Sequence, residues 1–344
     1  MKSVQVIGTG SYVPEHVVTN EALATRFGMD TTDEWIQRRT GIEERRFAGA
    51  GDSTSDLGLY AAKRALDAAG LDASALDLIV FATLSPDHCF PGSGVFLQEK
   101  LGLPQQGITV PCLDVRNQCS GFLYGLSTAV AHIRAGMANT VLVVGAEIHS
   151  AAIDLSTRGR AVASLFGDGA GAVVLQAGTD PTRDVQAVTL HADGRYAYAL
   201  HQKIWDMSQR PYIAVPDGGS GDGLVPPEHL YAQMDGRLVF KHAVTRLSAA
   251  VEEQCRAQDV ALDAIDLFVF HQANLRINQA IAAQLSIPLE KVPSNIERYG
   301  NTTAATLPIL LDELVREGRL KPGMRVLLGA FGSGFTWGTA LMTW

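Results

Sequence analysis

The sequence predicts an α/β fold built from two similar halves, and three observations carry that expectation. Short apolar runs that read as buried strands recur at matching places, Asp77-Leu78-Ile79-Val80-Phe81 and Asp266-Leu267-Phe268-Val269-Phe270, 189 residues apart. Leu101-Gly102-Leu103-Pro104 matches Leu285-Ser286-Ile287-Pro288, and residues 141–145 match residues 325–329, both at 184 residues. Between these anchors, residues 116–136 align without gaps on residues 298–318, 182 residues apart. Each of the two segments passes from a polar loop into a helical pattern and stops at a glycine, a helix C-terminal signal. Matches in the same order point to duplication of one strand/helix unit.

In chain order, Val4-Gln5-Val6-Ile7 reads as a first strand entering Gly8-Thr9-Gly10, which is expected to be a tight turn. A dinucleotide fingerprint would need a third glycine where Val13 stands, and Pro14 interrupts the helix it requires. Residues 77–81 form the next strand, residues 116–136 a loop and helix, and residues 141–145 the strand after it. Gly167-Asp168-Gly169-Ala170-Gly171 turns into a strand over residues 172–175, closing a first half at residues 1–176. The second half, residues 177–344, repeats the pattern with strand 267–270, loop and helix 298–318, and strand 325–329. It ends with Gly332-Ser333-Gly334 and a last strand over residues 339–342. Residues 197–233 keep no period and are broken by glycines and prolines, which reads as a functional flap or a disordered segment.

Composition narrows the function class. The 344 residues allow about two domains, and 47% hydrophobic against 19% charged residues exclude disorder as the main state. Twenty-eight basic and 36 acidic side chains leave a net charge of −8, which argues against nucleic acid as a partner. Cys89, Cys112, Cys119 and Cys255 form no CxxC and no ligand spacing with the nine histidines, so neither a metal site nor a disulfide framework is expected. No stretch approaches the roughly 18 apolar residues of a membrane span, and the N-terminus carries no signal-peptide core. The expected setting is the cytoplasm.

The 182-residue register sets Cys119 opposite Asn301, each at the start of its helix. Two halves packed about a pseudo-twofold axis would bring these helix starts together. A thiol there feels the positive end of the helix dipole, which favours the thiolate, and Ser120 and Gly121 leave room for a substrate. His271 directly follows strand 267–270, where α/β folds place their sites. The Gly332-Ser333-Gly334 turn can offer backbone N–H groups as an oxyanion hole. Taken singly, each has a structural alternative: a buried cysteine, a satisfied histidine, a capping asparagine, a tight turn.

In combination they resemble a known family. Gly8-Thr9-Gly10-Ser11-Tyr12-Val13-Pro14, Asp33-Glu34-Trp35-Ile36, Arg39-Thr40-Gly41-Ile42, Phe166-Gly167-Asp168-Gly169-Ala170-Gly171-Ala172, His271-Gln272-Ala273-Asn274-Leu275-Arg276, Gly300-Asn301-Thr302 and residues 331–338 are similar to those of the type III β-ketoacyl-acyl-carrier-protein synthases, in the thiolase-fold superfamily. The resemblance spans nearly the whole chain. It implies a thiolase-like five-layered αβαβα sandwich of two pseudo-equivalent halves and the catalytic triad Cys119, His271 and Asn301. Cys119 would take an acyl group from an acyl-CoA, with the oxyanion held by the N–H groups of Cys119 and Ser333. Malonyl-acyl carrier protein would then lose carbon dioxide between His271 and Asn301, so that no strong base is needed. Coenzyme A enters as a thioester substrate, and no further cofactor is implied.

By the same resemblance, Trp35, Arg39, Arg158 and Asn274 bind coenzyme A, and Lys241 and Arg276 meet the acidic carrier protein. Phe90 reaches across a homodimer interface into the partner's acyl pocket. On an acidic chain, Arg39, Arg158, Lys241 and Arg276 are expected to gather into one patch at the tunnel mouth. Several residues depart from the family. Asn117-Gln118-Cys119-Ser120 stands where Ala-Cys-Ala is usual, Ser333 replaces the middle of three glycines, at a cost if the position needs positive φ, and Ala283 and Gln284 stand where lysines are frequent. The starter, the acceptor and the pathway therefore stay open. Non-decarboxylative acyl-CoA condensation, acyl transfer in a secondary pathway and a silent acyl-binding subunit are the alternatives. The first needs a base, and the motifs offer no clear glutamate.

Overall fold

The computed structural model describes residues 2–178, 180, 182–204 and 227–344. Its first half contains, in order, β1 (Ser3–Tyr12), β2 (His16–Thr19), α1 (Asn20–Thr25), α2 (Asp33–Thr40), β3 (Glu44–Phe47), α3 (Thr54–Ala69), β4 (Leu78–Ala82), α4 (Ser93–Lys100), β5 (Cys112–Val115), α5 (Gly121–Arg134), β6 (Thr140–Glu147), α6 (Arg160–Ala163) and β7 (Gly169–Gly178). The second contains β8 (Asp184–Ala192), β9 (Leu200–His201), α7 (Pro227–Leu230), β10 (Gln233–Met234), α8 (Gly236–Ala257), β11 (Leu267–Phe270), α9 (Leu275–Gln284), α10 (Ile296–Tyr299), α11 (Thr306–Arg316), β12 (Arg325–Gly332) and β13 (Thr336–Thr343). Of the irregular segment expected over residues 197–233, the described parts form β9, α7 and β10; residues 205–226 lie outside the described residues.

Two mixed sheets carry the halves. Their orders, β1-β7-β6-β4-β5 and β8-β13-β12-β11, correspond strand for strand apart from the extra edge strand β5. The senses correspond as well: antiparallel, antiparallel, then parallel along both. The first sheet ends at Gly178 and the second begins at Asp184, so the expected boundary after residue 176 falls within the last residues of β7.

Alternation along the buried strands builds the layers. Val141 and Val143 of β6, Leu267 and Val269 of β11, and Val326 and Leu328 of β12 face a shared core with α5 and α11. Leu142 and Val144 face outward onto Leu57, Ala61 and Ala65 of α3, while Phe268, Phe270 and Leu327 pack on Leu247 and Val251 of α8 and Ile281 of α9. Both faces of each strand are covered, so the runs are continuously apolar rather than alternating. Each large side chain fully buried this way contributes about 1.5–3 kcal/mol. The result is the αβαβα sandwich, with α5 and α11 as its middle layer.

Two sequence expectations change. Gly8 and Gly10 do not make a turn: both lie inside β1, where a Cβ would stand 2.2 Å from the Ala65 carbonyl oxygen and 2.4 Å from that of Ala61. They are glycines because α3 presses its backbone against the strand. The 182-residue register holds only at the helix ends, where Gly136 and Gly318 take left-handed φ of 73° and 66°. At the starts the offset is 185: Gln118 and Thr303, with φ of 46° and 51°, open equivalent 3-10 turns before α5 and α11. Helix α5 is three residues longer, 14 against 11, so the equivalent of Cys119 is Ala304 rather than Asn301.

Gly10→Ala should lower unfolding stability by about 2–3 kcal/mol, because α3 must retreat from β1. Gly194→Ala, where an added Cβ meets nothing within 4 Å, should stay within about 0.5 kcal/mol of wild type. Urea unfolding midpoints of the two variants check this.

Candidate active site

The starts of α5 and α11 meet at the centre of the sandwich, and each is touched by the C-terminal end of a strand from the opposite half. The sheet registers make Glu147, at the end of β6, the equivalent of Gly332, at the end of β12. Gly332 lies against the thiol residue: a Cβ there would stand 2.7 Å from the Cys119 Cβ. Glu147 lies against the other helix start and accepts from Ala304 N at 3.5 Å. One crossing is left open for a nucleophile, and the other is closed by a carboxylate.

Cys119 is buried, and the backbone N–H groups of Cys119 and Ser333 both favour its thiolate form. That is the pair expected to form the oxyanion hole. Burial pushes the thiol up to about 12, and the charge of Glu147 adds in the same direction, while the two N–H groups pull the other way. This runs against the expectation of a resting thiolate: loss of water outweighs the two N–H groups. The resting group is a thiol. Ser333 bears no positive φ, because the left-handed turn is taken by Gly334 at φ 130°. Ser333 is held instead by its hydroxyl, which donates to the Leu200 carbonyl.

His271 follows β11 directly, and its backbone N–H donates to Gly329 O at 2.8 Å. Next to it, Gln272 donates to Phe270 O at 2.7 Å and accepts from Ser294 Oγ at 2.9 Å, which stiffens the run. Burial brings the imidazole down to about 3, so the ring is neutral. Nδ1 stands 2.6 Å from Thr306 Oγ1, and Nε2 is buried with no partner among the described residues. Asn301 Oδ1 accepts from Thr303 N at 2.9 Å, which assigns the amide orientation and leaves Nδ2 as a donor. The turn-holding bond of Asn301 thus uses one end of the side chain and leaves the other free of it.

Two cavities meet at Cys119. One, of about 840 Å³, is lined by Trp35, Arg39, Asn274, Arg276 and Asn301. The other, of about 720 Å³, runs along Leu84, Gln118, Ile148, His149, Phe166, Thr303 and Ser333. Trp35 carries Arg39 at 4.2 Å and Arg160 at 4.9 Å from its ring centre. Asn274 caps α9 through Oδ1, which accepts from Arg276 N at 2.9 Å, and ties α9 to α2 by donating to Arg39 O at 3.0 Å. Phe90 is 84% exposed, next to His88 and Cys89 of the smaller cavity wall.

The single basic patch expected from the sequence divides. Arg39 and Arg276 share the larger cavity with Arg237, which sequence reasoning missed although it lies one helical turn before Lys241 on α8. Lys241 is exposed on α8 and lines neither cavity. Arg158 lines the smaller cavity, because its Nε pairs with Asp154 at 2.6 Å and its guanidinium sits 5.3 Å from the Tyr231 ring. Arg160, two residues on, takes the place beside Trp35.

Glu147 was missed as well. It is fully buried, and burial lifts it to about 7. Its oxygens accept from Thr83 Oγ1 at 3.1 Å, Leu84 N at 3.2 Å and Ser85 Oγ at 2.6 Å, and it lines neither cavity. The carboxylate is fully engaged in holding the loop after β4 and is not presented to a substrate.

If burial governs the thiol, alkylation of Cys119 by iodoacetamide in the free enzyme should climb about tenfold per pH unit from 7 to 10. A plateau beginning near pH 7 would show a resting thiolate.

Comparison with known proteins agrees with this geometry. The family described as 3-oxoacyl-[acyl-carrier-protein (ACP)] synthase III matches residues 113–194, and its C-terminal counterpart matches residues 255–344. The chain is 44% identical over 342 residues to the β-ketoacyl-[acyl-carrier-protein] synthase III of Paramagnetospirillum magneticum, covering 98% of each. It superposes on the 3-oxoacyl-[acyl-carrier-protein] synthase III of Aquifex aeolicus with a TM-score of 0.87 at 38% identity, over 99% of this chain and 100% of that one. The priming β-ketosynthase of the R1128 polyketide pathway gives 0.87 at 32% identity, over 99% and 96%. With two family matches in order, full-length relatives and a shared fold, the chain belongs to the 3-oxoacyl-acyl-carrier-protein synthase III family.

Proposed function

We propose that this protein condenses an acyl-CoA starter with malonyl-acyl carrier protein, with loss of carbon dioxide, through an acyl group carried on Cys119. The observation that carries the reading is the position of the thiol, at the junction of two cavities and against the turn that begins at Gly332. The larger cavity takes coenzyme A and later the carrier's arm, with Trp35, Arg39 and Arg160 at the nucleotide end and Asn274 fixing α9 against α2. The smaller cavity takes the acyl chain.

In the first half-reaction the sulfur attacks the thioester carbonyl, the N–H groups of Cys119 and Ser333 hold the oxyanion, and coenzyme A leaves with the proton as its thiol. Donors fixed in a water-poor site need no reorganisation as charge develops. In the second, the malonyl thioester carbonyl lies between Asn301 Nδ2 and His271 Nε2. The Nε2–H tautomer this step needs has Nδ1 accepting from the Thr306 hydroxyl, 2.6 Å away, which turns from the Thr303 carbonyl to donate there. The C–C bond to the carboxylate breaks, carbon dioxide leaves, and the electron pair forms an enolate held by these two donors. That carbon then attacks the acyl-Cys119 carbonyl, forming the new C–C bond and expelling the sulfur. Glu147 has no part in making the carbanion, which favours decarboxylation over the base-dependent condensation. Phe90 is assigned to the acyl pocket of a second copy in a homodimer, which its exposure supports.

Cys119→Ala should abolish covalent labelling by acyl-CoA. His271→Ala and Asn301→Ala should keep labelling while losing carbon dioxide release by about 100-fold or more. Intact-protein mass and radiolabelled carbon dioxide separate the two steps, and labelling retained in Cys119→Ala would end the proposal. At the larger cavity mouth, Arg237→Glu and Arg276→Glu should each raise KM for the malonyl carrier protein with kcat little changed, and the effect should shrink as salt screens the charge. Equal KM values at low salt would remove these arginines from docking.

A further inference from the structure

The smaller cavity has an unusual wall for a chamber that would receive a plain alkyl chain. Such sites are mostly apolar, with a few placed polar groups that fix orientation. Leu84, Ile148, Val162 and Phe166 supply the apolar part here. Beside the thiol, however, stand two polar side chains whose hydrogen-bonding groups are not used up by the protein. His149 is 6% exposed, with its ring 4.6 Å from that of Phe166. Its Nε2 lies 2.6 Å from Thr303 Oγ1, and Nδ1 has no partner among the described residues. The Thr303 hydroxyl has no other acceptor among them either, so its proton goes to Nε2 and the ring proton sits on Nδ1. Gln118, directly before the nucleophile, lines the same wall, and its side-chain amide makes no hydrogen bond to a described residue.

We propose that His149 and Gln118 select a starter acyl group that carries a neutral oxygen, a hydroxyl or a carbonyl, on its chain. The ligand group must be an acceptor, because the imidazole offers an N–H. It is neutral because the cavity's charges oppose one another: Arg116 lines it without an ion pair among the described residues, and so does Asp87, whose Oδ2 is buried without a partner. A plain alkyl chain would expel water from the His149 N–H and the Gln118 amide and return nothing to them, and sites built on hydrogen bonds discriminate by that loss. The inference rests on the acyl-cysteine reading above and adds the identity of the starter.

The test compares rates of Cys119 labelling by butyryl-CoA, 3-hydroxybutyryl-CoA and 3-oxobutyryl-CoA, followed by intact mass, with acetyl-CoA as reference. The wild-type protein should label at least about tenfold faster with one of the oxygenated chains than with butyryl-CoA, the lower range for one buried hydrogen bond. In His149→Leu that ratio should fall to about one, and His149→Gln, which keeps an N–H donor, should retain part of it. Each ratio is taken within one preparation, so a partly unfolded variant does not distort it, and the wild-type ratio stands without any variant. Butyryl-CoA labelling as fast as both oxygenated thioesters, or a preference untouched in His149→Leu, overturns the inference alone. Failure of every thioester, acetyl-CoA included, to label Cys119 overturns the acyl-cysteine reading together with it.

Discussion

The structure depends on one contact made twice. The starts of α5 and α11 are buried end to end in the middle layer, and each must accept the end of a strand from the other half. A side chain at position 332 would collide with Cys119, so only glycine lets β12 finish there. At the equivalent crossing the space is filled by Glu147, whose carboxylate reaches the Ala304 N–H and the loop after β4. A duplicated fold therefore yields one crossing that holds a thiol and one closed by a carboxylate. Both sheets and the pairing of β6 with β4 and β12 with β11 serve to hold these two strand ends in register.

Placing the nucleophile at such a crossing has electrostatic consequences. Exclusion of water pushes the Cys119 thiol up and the His271 imidazole down, so both rest uncharged. Neutral groups cost little to bury, whereas an isolated thiolate or imidazolium would cost several kcal/mol. In the proposed reaction charge arises only in transit, first on the thioester oxygen and later on the enolate. A reaction that generates its carbanion by losing carbon dioxide suits this site, because a strong buried base would be hard to keep ionised.

Much of this was legible in the sequence. Strand runs such as 77–81 and 267–270 are apolar throughout because both faces are covered, and Gly136 and Gly318 mark helix ends through their left-handed backbone. Cys119, His271, Asn301 and Ser333 stood out as candidates because each sits where a loop meets a regular element. Packing against distant segments was not legible. Gly8 and Gly10 looked like a turn because nothing local reveals that α3 lies across them, and the three-residue difference in helix length shifted the register that paired Cys119 with Asn301. Arg158 and Arg160 are separated by one residue; Asp154 and Tyr231 hold the first, and Asp30 holds the second beside Trp35. Glu147 ends an otherwise apolar strand, a signal that could have singled it out as a buried carboxylate with a partner elsewhere.

The central claim, that Cys119 carries the acyl group at the junction of two separate cavities, is most directly tested by a crystal structure of the acyl-enzyme trapped in His271→Ala. The account predicts the thioester oxygen within hydrogen-bonding distance, about 3 Å, of the N–H groups of both Cys119 and Ser333, with the chain in the cavity walled by Gln118, His149 and Phe166. An acyl chain lying instead along Trp35, Arg39 and Asn274, or an oxygen turned away from those two N–H groups, would contradict it.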